Sequence, residues 1–179
     1  MIYAGFLRRF GAYLIDALVF IPLLVVAYFL SEKFRLFQVY YFVPGLLIGI
    51  AFHVYLVVRF GGTPGKLLLN IRIAMVNGSR VTLKAASLRY SVLFGLTFFS
   101  TLALCLSVLS MSDELYFSLG YIERSKKIVE LSPSWYQWVS ILIQVWVWSE
   151  FISMLFNKKR RAIHDFIAGT VVVHEEKPA

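Results

Sequence analysis

Polar residues along this chain are gathered into short stretches between four long apolar runs, at about residues 10–30, 39–58, 90–110 and 135–156. A helix that crosses a bilayer needs about 20 apolar residues, at roughly 1.5 Å each. Each run meets that length, so four transmembrane helices are predicted. Pro22 falls inside the first, where it removes the hydrogen bond to the carbonyl of Leu18 and favours a kink. Pro44 comes early in the second and disturbs it less. The polar stretch at 59–89 has a different period. Residues 70–76 roughly alternate, Asn77-Gly78 is a strong hairpin-turn signal, and residues 80–83 read as the return strand. Residues 84–89 read as an amphipathic lead-in to the third span. Behind the fourth, residues 170–173 form a β-branched run after a helical turn closed by Gly169. The pattern predicts an all-α membrane protein: four transmembrane helices with a small cytoplasmic cap, built from a β-hairpin plus a C-terminal strand. It forms a single membrane domain over residues 1–179, with a cytoplasmic loop at 59–89 and a cytoplasmic tail at 157–179.

Composition agrees with this reading. Of 179 residues, 59% are hydrophobic, and the mean hydropathy is +0.74. Soluble domains are nearer roughly 45–50% apolar. The net charge of +8 is unevenly placed. Arg8 and Arg9 precede the first span; Arg59, Lys66, Arg72, Arg80, Lys84 and Arg89 separate the second from the third; Lys158, Lys159, Arg160, Arg161 and Lys177 follow the fourth. Those are 13 of the 18 Lys and Arg, and only Lys33, Arg35, Arg124, Lys126 and Lys127 fall on the other side. Basic residues favour the cytoplasmic side, so both termini are expected in the cytoplasm of a multi-pass protein of the cell inner membrane. Trp135 and Trp138 then fall at the outer interface, where aromatic residues collect. The run at 158–161 faces anionic headgroups, worth about 1 kcal/mol per charge. A patch pinned there does not suit nucleic acid. The first apolar run is too long for a signal peptide and has no small-residue cleavage pair, so it reads as a retained helix. Cys105 is the one cysteine, so no internal disulfide forms.

Three ionisable side chains interrupt the apolar runs. Asp16 is seven residues past Arg9, His53 six before Arg59 and Glu150 eight before Lys158. At 1.5 Å per residue each lies roughly 9–12 Å below the cytoplasmic edge. Buried charge at that depth costs several kcal/mol unless a partner meets it. The three are therefore candidates for one buried cluster and for an ion or proton pathway. Each also has a plainer reading: His53 packs in the interior, Glu150 reaches to the edge, and Asp16 faces water. Gly45, Gly49 and His53 share one face, which lets a neighbouring helix approach. Arg9 points away from Asp16 on its own helix, toward headgroups or Asp165, whereas Asp16 is expected to meet another helix, with His53 as a candidate partner. Gly61 to Lys66 superficially resembles a phosphate loop, but the spacing before Gly-Lys and the following Ser/Thr are missing, so a tight turn explains it better.

Three motifs together resemble the RDD family of prokaryotic membrane proteins. They are Arg9 with Asp16 in the first helix, the loop motif Gly62, Thr63, Pro64, Gly65, Lys66, and Arg161-x-x-His164-Asp165-x-x-Ala168-Gly169-Thr170. The resemblance spans residues 4–173 and makes Arg9, Asp16 and Asp165 the defining residues, with Arg8 as the alternative to Arg9. Some members are associated with sodium, lithium or potassium–proton antiport, and others have no assigned activity. The resemblance thus implies a cation/proton transporter using buried carboxylates, working with a monovalent cation and a proton; four helices make a thin pathway, so a homo-oligomer is expected. The alternative is a non-transporting accessory or scaffold protein that binds a partner through its cytoplasmic cap. On the transport reading, Asp16→Asn folds yet loses pH-dependent exchange. No metal spacing, cofactor motif or nucleophile motif occurs, so no metal, no cofactor and no enzymatic activity are expected.

Overall fold

The computed structural model describes residues 1–175; Lys177, counted above with the cytoplasmic bases, lies outside the described residues. Helix α1 is Phe6–Lys33 and contains Pro22 without ending there. Helix α2 (Phe37–Ile50) runs through a π-helical turn, Ala51–Tyr55, into α3 (Leu56–Phe60). After the short α4 (Pro64–Leu68) comes strand β1 (Ile71–Met75), then α5 (Leu83–Ser110). Helices α6 (Asp113–Ser118) and α7 (Tyr121–Glu130) lead into α8 (Trp135–Leu155), and α9 (Ile163–Ala168) leads into strand β2 (Thr170–His174). Four helical stretches, Phe6–Lys33, Phe37–Leu68, Leu83–Ser110 and Trp135–Leu155, are long and apolar enough to cross a membrane. This is a membrane protein of apolar helices carrying a small two-stranded antiparallel sheet.

The third span starts earlier than its apolar run. Thr82 caps α5, its hydroxyl accepting the Ala85 N–H at 3.2 Å, so the stretch read as a lead-in belongs to the helix.

The sheet departs from the expected hairpin. Strand β1 pairs antiparallel with β2, with Ile71 opposite His174 and Met75 opposite Thr170. The Asn77-Gly78 turn forms: the Gly78 N–H donates to the Met75 carbonyl, and the Asn77 side chain accepts the Ser79 N–H. Residues 80–82 do not go on to become a return strand. The next outward N–H of β1, on Ile73, already donates to the Gly61 carbonyl at 2.7 Å. That edge is occupied, and Thr82 is committed to capping α5. The other edge of β2 takes the N-terminal residues instead: Ala4 N–H donates to the Val172 carbonyl, and His174 N–H to the Ile2 carbonyl, both at 2.9 Å. The N-terminus, β1 and β2 therefore meet at one end of the bundle. Asn70 is left-handed (φ 52°), which delays β1 to Ile71.

At the opposite end, two arginines order the segment between the third and fourth spans. Arg35 donates to the carbonyls of Val108 and Met111 at 2.8 and 2.7 Å and pairs with Asp113. Arg124 is buried, pairs with Glu32 and lies 4.6 Å over the Tyr116 ring.

Candidate functional site

The loop motif is a docking device for α4. Thr63 is the residue before the helix, and Pro64 fits its first position, where no N–H is needed. Asp16 on α1 meets it end on. Its Oδ1 accepts the Gly65 N–H at 2.7 Å, and its Oδ2 accepts the Thr63 hydroxyl at 2.5 Å. Lys66 Nζ stands 3.9 Å from Asp16 Oδ2 and donates to Thr63 Oγ1 at 3.1 Å. Gly65 permits this closeness. A Cβ there would overlap the Ala12 carbonyl oxygen and stand 3.0 Å from Asp16 Oδ1. Asp16 therefore meets α4, not His53.

The second carboxylate, Asp165, has no exposed surface. Its Oδ2 accepts from Arg9 Nη1 at 2.9 Å and from the Ala162 N–H at 3.0 Å. Its Oδ1 pairs with Arg89 on α5 and accepts the Thr170 hydroxyl at 2.9 Å. One side chain thus ties α1, α5, α9 and β2 together. Arg9, not Arg8, makes this contact; Arg8 faces His174 at the surface. Arg72 on β1 is not among the partners of Asp165. Arg161 turns inward from the basic run, donates to the carbonyls of Asp165 and Thr170 at 2.7 and 3.1 Å, and lies over Phe166. Gly169 closes α9 in the left-handed conformation (φ 66°). Arg161, Asp165, Gly169 and Thr170 of the C-terminal motif are thereby accounted for as structure.

His164 belongs to a cavity of about 210 Å³ at the cap end, whose wall includes Arg9, His53, Lys66, Arg89, Glu150 and His164. Glu150 reaches out of α8 to accept the His164 backbone N–H at 3.1 Å, and its other oxygen contacts His164 Nδ1. His53 sits in the π-helical turn and stacks on Tyr90, centroids 4.7 Å apart. Such turns recur at functional sites. Of the three expected pathway residues, His53 and Glu150 line the cavity; Asp16 lies one side chain away, behind Thr63 and Lys66. Arg89 and Lys66 were not singled out as cavity residues. A lone arginine at the mouth of an apolar run, with no acid within reach on its own helix, was the available signal for Arg89.

Four atoms of the wall have no hydrogen-bond partner among the described residues: Arg9 Nε, Arg9 Nη2, Glu150 Oε2, which keeps only its ion-pair contact with His164 Nδ1, and His164 Nε2. Buried polar atoms are rarely left so. Burial alone would raise the Asp165 carboxyl, but Arg89, His164, Arg9 and the Ala162 N–H outweigh it and hold the group well below the ordinary carboxylate range. Burial, helped by Arg89, pushes His164 below the ordinary imidazole range despite Asp165 and Glu150. Neutral His164, with its proton on the Nδ1 that contacts Glu150, then leaves Nε2 as a bare acceptor.

A pH dependence of stability follows. His164 binds a proton more weakly when folded, so below about pH 6.5 the unfolded chain takes up more protons and stability falls as pH falls. Melting in detergent at pH 7.5 and 5.5 is expected to show that loss in the wild type and a smaller one in His164→Gln. Equal losses would refute this role.

The family model described as RDD family matches residues 3–169. Neither a curated protein nor a solved structure matches the chain.

Proposed function

Because this chain belongs to the RDD family, and because its cavity holds a carboxylate–imidazole pair, we propose that it is a small proton-coupled ion transporter of the inner membrane. The sheet end faces the cytoplasm in this reading, in keeping with the basic residues gathered there. The carrying observation is the Glu150–His164 contact in the cavity wall, with His164 Nε2 unpartnered. A proton arriving from the cavity is taken on Nε2, and Glu150 compensates the new charge from the other side of the ring. Groups buried in a membrane protein that change charge this way are what proton coupling needs. Asp16, the group first expected to titrate, has both oxygens engaged by α4 and is assigned to docking. A four-helix chain offers a narrow path, so the transporter works as a homo-oligomer.

The expected monovalent cation is the less favoured cargo. It would find Glu150 as the lining carboxylate, with Arg9, Lys66 and Arg89 in the same wall. The scaffold reading draws its support from Asp16 and Asp165, whose hydrogen bonds are all spent on holding the cap.

In proteoliposomes containing this protein alone, an imposed pH gradient is expected to drive dye-reported proton movement. Glu150→Gln keeps the shape and loses the charge, and it should lower the rate by about tenfold or more, the lower end of what positioned proton transfer contributes. Wild-type protein with no flux in the presence of sodium, potassium and short carboxylate salts would favour the scaffold instead.

A further inference from the structure

We propose that the cavity binds a small monocarboxylate, held on the free edge of Arg9 and loaded together with one proton. This rests on the proton-coupled reading above and supplies its cargo. The argument begins with the guanidinium. Arg9 exposes 7% of its surface and spends Nη1 on Asp165. Nε and Nη2 are left unpartnered in the cavity wall. Those two atoms form one edge of the planar group, and their parallel N–H bonds match the two oxygens of a carboxylate. Such donors suit an acceptor and repel a metal cation.

Charge counting limits the ligand further. Around the cavity stand three cations, Arg9, Lys66 and Arg89, and three carboxylates, Asp16, Asp165 and Glu150, with His53 and His164 counted neutral. The empty cluster is balanced. A monoanion on Arg9 adds one negative charge in a poorly solvated place, and one proton on the Glu150–His164 pair restores the balance. A dianion would need two. All these groups face the pair from α1, the π-helical turn, α4, α5, α8 and α9, so the coupling belongs to the cluster as a whole. The remaining wall is apolar, including Leu93, Trp146, Phe151 and Met154, which suits a short aliphatic tail. At about 210 Å³ the space is below the roughly 300–1,000 Å³ of pockets for drug-sized ligands.

Two ligands that share a site and compensate each other's charge strengthen each other's binding reciprocally. The test uses the full chain in phosphatidylcholine nanodiscs, with butyrate binding followed by ligand-detected NMR at pH 8.0 and 5.5. Saturable binding is expected to tighten by about fivefold to tenfold at the lower pH. Glu150→Gln should bind butyrate with that pH dependence reduced or gone. Leu93→Trp, which fills the apolar wall and leaves every charge in place, should lose at least about tenfold in affinity, as removing a well-fitted contact does. Arg9→Lys, which keeps the charge and loses the fork, should do the same where it folds. Absence of butyrate binding to the wild type, or unchanged affinity in folded Leu93→Trp, overturns the assignment. So does tighter binding of inorganic phosphate, or loss of butyrate binding when phosphatidylglycerol is added, which would mark a lipid phosphate site. Proton flux with sodium or potassium but no butyrate binding removes the carboxylate and keeps the transport reading. Butyrate binding without pH dependence or flux removes the proton pairing and the transport reading together.

Discussion

Asp165→Asn is expected to cost roughly 3–5 kcal/mol of stability, the penalty for breaking a buried ion pair from one side. The carboxylate is fully buried and faces two arginines from different helices, Arg9 on α1 and Arg89 on α5. Asparagine keeps an acceptor oxygen for one of its donors. Its amide NH2 opposes the other arginine, and two buried cations are left without a counter-charge. The same side chain accepts the Ala162 N–H and the Thr170 hydroxyl, so α9 and β2 loosen with it. The loss should be read at pH 7 as an early melting step and as protease cleavage within residues 157–175 while the four spans stay inserted. Because the folded carboxyl titrates far below its ordinary value, the difference between wild type and variant should hold from neutral pH down to about 4. It should shrink below that, as the carboxyl of the unfolded wild-type chain takes up a proton that the folded carboxylate does not. A variant that melts with the wild type and resists protease would remove Asp165 from the centre of the cap.

Gly65→Ala is the second large effect, and it acts through the backbone. One added methyl group meets the Ala12 carbonyl, which belongs to the α1 backbone and has little freedom to move. Helix α4 must retreat, and retreat breaks the Gly65 and Thr63 hydrogen bonds to Asp16. A buried carboxylate then keeps only its long contact to Lys66. Hydrogen bonds to charged groups are each worth about 1.5–3 kcal/mol, so a loss of about 3 kcal/mol or more is expected. Gly95→Ala is the matched control. It lies inside α5 with open space around it, and alanine there should stabilise by about 0.5–1 kcal/mol. Melting both variants beside the wild type checks the pair. Gly65→Ala at wild-type stability would mean that α4 is not docked on α1 as tightly as the Asp16 contacts indicate.

Local patterns determined a good deal of this protein by themselves. The apolar runs placed four spans, since crossing length depends only on consecutive residues. The Asn-Gly turn and the β-branched run ending at Val173 are short-range signals, and each formed where it was read; Thr63-Pro64, read as part of a tight turn, instead starts α4. The three separated motifs also carried the family. What the sequence did not contain was rotation. Helical spacing says which residues share a face, and nothing in it says which faces meet. For that reason Asp16 was expected against His53 and lies instead against Thr63 and Gly65, about 50 positions along the chain. Arg89 and Asp165, 76 residues apart, likewise become partners through the docking of α9 on α5. The expected hairpin gave way to an N-terminal edge because strand edges are filled by whichever backbone arrives with free N–H and carbonyl groups. The Gly61 carbonyl and residues 2–4 arrive only once the bundle is assembled. The cavity belongs to the same class: its wall is drawn from six helices, the π-helical turn and both strands, and the free edge of Arg9 exists because tertiary structure spends the opposite end of that guanidinium on Asp165.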